Sequence, residues 1–123
     1  MSDRKQYLKL KRVIDPLVKL SDSLAQLRLQ AATLKLRSAE LQLKRERLKV
    51  VPNEKSLLSI SELNQRICEL TDRLRENRTR INRVRTARQQ EVGVLLGADF
   101  SYGEIAKYTA EFSSYVGYFG SEQ

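Results

Sequence analysis

The chain has 123 residues, 41% of them hydrophobic and 31% charged, with a formal net charge of +8. That mixture belongs to long amphipathic helices, and five Gly with two Pro leave little turn chemistry for a fold of many short elements. No His and a single Cys exclude an intrachain disulfide and histidine acid-base chemistry, and argue against a cysteine-based metal site.

The charge is unevenly spread. Residues 1–90 hold 22 Lys and Arg against 10 Asp and Glu, whereas residues 91–123 hold only Lys107 against Glu91, Asp99, Glu104, Glu111 and Glu122. The opening residues alternate charge with Leu, and no stretch approaches the roughly 20 apolar residues of a membrane span. A cytoplasmic protein without a membrane span is expected.

From Leu10 a heptad pattern places Leu10, Leu17, Leu24, Ala31, Ser38 and Arg45 at a, and Val13, Leu20, Leu27, Leu34, Leu41 and Leu48 at d. An unbroken aliphatic d series is a coiled-coil signature. Pro16 interrupts it, because proline lacks the helical donor and clashes with the preceding turn. The first long helix is therefore expected to start or kink there and to span about residues 16–49, with residues 4–14 as a separate short helix if Asp15 caps it.

A second apolar stripe, Ala25, Leu29, Ala32, Leu36, Ala39 and Leu43, runs along the same helix. Two apolar faces require two neighbours, so a third helix or a partner should cover this one. Leu29, Leu36 and Leu43 are candidate partner-binding residues.

Pro52 ends the first helix. Ser59, Ile60, Ser61 and Glu62 read as a capping box, with Leu58 stapled on Leu63, starting a second helix at about 59–96 with Gly97 as C-terminal cap. Its a and d positions run Ile60, Leu63, Ile67, Leu70, Leu74, Asn77, Ile81, Val84, Arg88, Glu91 and Leu95. Antiparallel pairing about Glu54 sets Leu48 against Ile60, Leu41 against Ile67, Leu34 against Leu74, Leu27 against Ile81, and small Ala31 against polar Asn77. The expected fold is all-α: a basic antiparallel coiled-coil hairpin over residues 1–97, followed over 98–123 by a short, aromatic, acidic C-terminal helix.

That last segment holds all the aromatic residues but Tyr7. Ser101 to Glu104 form a capping box, and Ile105, Tyr108, Phe112, Tyr115 and Phe119 recur at helical spacing. The aromatic face can pack back on the hairpin near Val13, Leu17, Val94 and Leu95, or dock on another protein. In the second reading Tyr108, Phe112, Tyr115 and Phe119 bind the partner.

Arg73, Arg75, Arg78, Arg80 and Arg83 concentrate positive charge on the second helix, facing few acids across the seam. Three readings stand: solvated heads whose stems cover the core, a site for an acidic protein surface, or a nucleic-acid interface. The absence of aromatic residues from 60–96 counts against the last.

No catalytic, cofactor-binding or metal-ligating set is assigned. Cys68 has no His to activate it, the acids are scattered, and there is no Gly-rich phosphate loop. A non-enzymatic interaction protein is expected, with an acidic-surfaced protein or a second copy of itself as partner.

The opening Leu8-Lys9-Leu10-Lys11-Arg12-Val13-Ile14-Asp15, running into Leu17 and Leu20, resembles the start of the small flagellar export coiled-coil proteins. The resemblance implies an antiparallel hairpin acting as a stalk for a type III secretion ATPase and helping to deliver export chaperones. Pro16 and the aromatic, acidic C-terminal helix depart from that family's pattern.

Overall fold

In a computed structural model the described residues are 2–50 and 53–113, and they form three helices and no strand: α1 Ser2–Lys49, α2 Glu54–Gly97 and α3 Tyr102–Phe112. The all-α expectation holds. Two compact units emerge, one combining Met1–Leu27 with Ile81–Gln123 and the other consisting of Arg28–Arg80.

The heptad positions are the inward ones. Among the described residues no a or d position listed for α2 is exposed, and Val13 is the one exposed a or d position of α1. Within the unit 28–80, Arg45 donates from Nη1 to Asn64 Oδ1 at 2.9 Å. Those two numbers sum to one more than the expected 108, so the contact agrees with the antiparallel register. Asn77 is buried there, as is Ser56, which extends the d series one step before Ile60.

Four local expectations are corrected. The first helix does not begin or break at Pro16, which lies inside α1. The ring removes one i to i−4 hydrogen bond. Ile14, Leu17 and Val18 are buried on either side of it and offset that loss by packing.

The second helix begins at Glu54, not at Ser59. Asn53 Oδ1 accepts from the Ser56 backbone N–H at 2.8 Å and from the Ser56 hydroxyl at 3.1 Å. Asn is among the strongest capping residues, so the earlier site wins and the Ser59 box becomes helix interior. Leu58 is accordingly exposed rather than stapled to Leu63.

At the other end, Gly97 is still helical and Asp99 takes the left-handed conformation at φ 71°. The Phe100 N–H reaches the Leu95 carbonyl at 3.1 Å and the Asp99 N–H reaches that of Leu96 at 3.2 Å, the paired bonds of a Schellman motif. Leu95 and Phe100 join the same apolar cluster, as the motif's hydrophobic contact requires.

The fourth correction concerns the core of the first unit. Ile14, Leu17, Val18, Leu95 and Ile105 form its centre, with Val92, Leu96, Phe100, Tyr108 and Phe112 packed around them. Ile14 is 0% exposed, whereas its neighbour Val13, the expected d residue, is 38% exposed. A helix with two neighbours needs a wider apolar stripe than an a/d seam provides, and α3 is the additional neighbour.

The α3 capping box expected at Ser101 is present: the Glu104 N–H donates to Ser101 Oγ, and the Ser101 N–H donates to Glu104 Oε1, each at 3.1 Å.

Candidate partner-binding surfaces

The second stripe of α1 has two different environments. In the first unit it continues upstream to Val18, and Val18 and Ala25 are both buried. Asp22, between them on that face, accepts a 2.7 Å hydrogen bond from the Ser113 hydroxyl at the C-terminal end of α3. The third helix that the stripe demanded is thus α3.

Among the described residues of the unit 28–80, α2 is the one other helix beside α1. Leu29 is half-buried, Leu36 is 63% exposed, and Leu43 is 54% exposed, with Ala32 and Ala39 open between them. Val50, one heptad beyond Leu43, is exposed as well.

Tyr108 and Phe112, candidates for a docking face, turn inward instead. Both pack on the Ile14/Leu17/Ile105 cluster, and the Phe112 ring meets Tyr7 edge to face with centroids 5.5 Å apart. Their apolar surface is used within the chain, in the same cluster as Val18. Tyr115 and Phe119 lie outside the described residues.

Arg73, Arg75, Arg78, Arg80 and Arg83 are all exposed. Arg75 approaches Asp72 at 3.7 Å on the surface, a contact of little energetic weight. Arg73 differs from the others. With Arg66, Glu69 and Leu70 of α2 and Arg37 and Leu41 of α1, it lines a groove of about 290 Å³ along the seam. Arg37 is one of the basic residues, with Arg28 and Lys35, that the sequence places opposite the Arg-rich stretch, whereas Arg66 is not singled out there. The signal was available, since Arg37, Arg66 and Arg73 all occupy g positions, and an antiparallel pair brings the g positions of both helices to one edge.

Among the described residues no helix is long and apolar enough to cross a membrane. No family model, curated protein or solved structure matches the chain.

Proposed function

We propose that the chain is a non-enzymatic coiled-coil interaction protein, an adaptor or structural subunit of a larger protein assembly. One observation carries this reading: Leu36 and Leu43 stand open to water on a unit whose own seam is already filled. Upstream on the same face the chain supplies its own covering helix. Over 28–80 none of the described residues covers it, and a contiguous apolar stripe in water is the mark of a docking surface. The resemblance at Leu8 to Asp15 names one such assembly, a secretion-ATPase stalk with its export chaperones.

The test is affinity purification from the native host of the parent chain and of Leu36→Lys with Leu43→Lys. The expected result is a protein recovered in fixed proportion with the parent and lost with the variant, while circular dichroism shows equal helicity. Equal recovery with both chains, or recovery of the chain alone as a monomer by light scattering, overturns the reading. A concentration-dependent dimer abolished by the same substitutions would make the partner a second copy.

A further inference from the structure

We propose that the groove lined by Arg37, Leu41, Arg66, Leu70 and Arg73 seats an acidic amphipathic helix of a partner protein, two carboxylates one heptad apart meeting Arg66 and Arg73 around an apolar side chain laid on Leu41 and Leu70. The proposal rests on the adaptor reading and specifies the partner's chemistry.

Charge arrangement is the first argument. The g edge carries Arg37 and Lys44 from α1 and Arg66, Arg73 and Arg80 from α2. Antiparallel coils ordinarily pair opposite charges across such an edge, and like charges there are unfavourable unless something outside supplies the anions. Among the described residues the side chains of Arg37, Arg66 and Arg73 make no hydrogen bond or ion pair. Glu69 lines the groove four residues before Arg73 without closing a pair on it.

The floor is the second argument. Leu70 is buried and Leu41 half-buried, so an apolar group set between the guanidiniums removes further hydrocarbon from water. Arg66 and Arg73 are a heptad apart, roughly 10.5 Å along the axis, which is the repeat of a second helix laid alongside. Planar guanidinium forks bind carboxylates bidentately.

Other occupants fit less well. A phosphate backbone would leave the Leu floor uncovered and face Glu69, and the unit has no aromatic residue for base stacking. A second copy would bring its own excess of cations, since residues 28–80 hold 13 Lys and Arg against 7 Asp and Glu.

Isothermal titration of the full chain decides the matter with three probes: a three-heptad helical peptide with Glu one heptad apart around Leu, poly-L-glutamate of the same length, and duplex DNA. The peptide is expected to bind best. Arg66→Gln with Arg73→Gln, and separately Arg37→Gln, should weaken it about tenfold or more, whereas Arg75→Gln with Arg83→Gln, off the groove, should change it less than about threefold. No peptide binding, equal losses in both sets of variants, poly-L-glutamate binding as tightly as the peptide, or tighter binding to DNA overturns the proposal. Host-partner recovery that depends on Leu36 and Leu43 but not on the groove arginines would overturn it while leaving the adaptor reading intact.

Discussion

The Ser113 hydroxyl donates a 2.7 Å hydrogen bond to the carboxylate of Asp22, joining positions 91 residues apart. It fixes the C-terminal end of α3 where its cap leaves the helix: Ser113 is the C-cap residue and its own N–H bonds the Thr109 carbonyl. Ser113→Ala leaves a part-buried carboxylate short of one donor and should cost about 1 kcal/mol, lowering the melting temperature by a few degrees. Unchanged melting would show that the bond is replaced by water without loss.

Pro16 sits in the interior of a helix that continues on both sides. Pro16→Ala restores the missing donor and should stabilise the chain by about 1–3 kcal/mol in denaturant unfolding. Were Pro16 the first residue of a separate helix, the substitution would give no gain, since proline suits that position.

Asp99 adopts a left-handed conformation that glycine reaches without steric penalty. Asp99→Gly should therefore raise stability by about 0.5–1 kcal/mol. Gly97→Ala should add a similar amount, because its new methyl meets nothing within 4 Å and alanine is the better helix former. A fall in stability with Asp99→Gly would contradict the Schellman geometry.

Ile105 ties α3 to the first unit's core and is buried. Ile105→Ala should cost about 2–4 kcal/mol and loosen the Tyr108 and Phe112 rings, with the Tyr7 contact on Phe112, readable as a change in near-ultraviolet dichroism. Retained aromatic signal with that loss would mean that the rings are held by other contacts.

Glu46 accepts a 3.2 Å hydrogen bond from Lys49 Nζ. That bond, followed by the ammonium's charge, holds its carboxyl below the ordinary carboxylate range. A depressed folded-state value means that the contribution to stability is present above the ordinary range and lost as pH falls through the lowered value. Carboxyl titration followed by NMR should show Glu46 moving back up in Lys49→Ala. The group is exposed, so added salt should act in the same direction.

Much of the architecture is legible in the sequence because it is local or strictly periodic. The heptads gave the seam and its register, and Ser101 with Glu104 three residues later gave the α3 start. Failures arose where two local signals competed. Asn53 caps the second helix ahead of the expected Ser59, and Asp99 rather than Gly97 takes the left-handed position at its end, because each helix continues for as long as a following turn can still be closed. Pro16 is hard to read because its cost is local while the compensating burial of Ile14, Leu17 and Val18 comes from the end of α2 and from α3, far along the chain. The demand of the second stripe for a third helix was legible, but not that α3 would meet it around Val18 and Asp22. The groove at Arg37, Arg66 and Arg73 is less legible, because it depends on the edge that two helices share rather than on the density of Arg along one of them.

The two units differ in what fills them. The first encloses Ile14, Leu17, Leu24 and Leu95 completely, while among the described residues the second buries Ser38, Ser56 and Asn77 alongside its leucines and has two helices rather than three. Amide hydrogens across residues 28–80 should accordingly exchange with solvent through low-energy local openings, and those around Ile14 and Leu95 only with larger ones. A ligand that binds the closed form of 28–80 would slow that exchange in proportion to its concentration over its dissociation constant. The segment that offers the open leucines and the unpaired arginines is then also the one whose order depends most on company, and occupancy could be read directly as a slowing of its deuterium uptake.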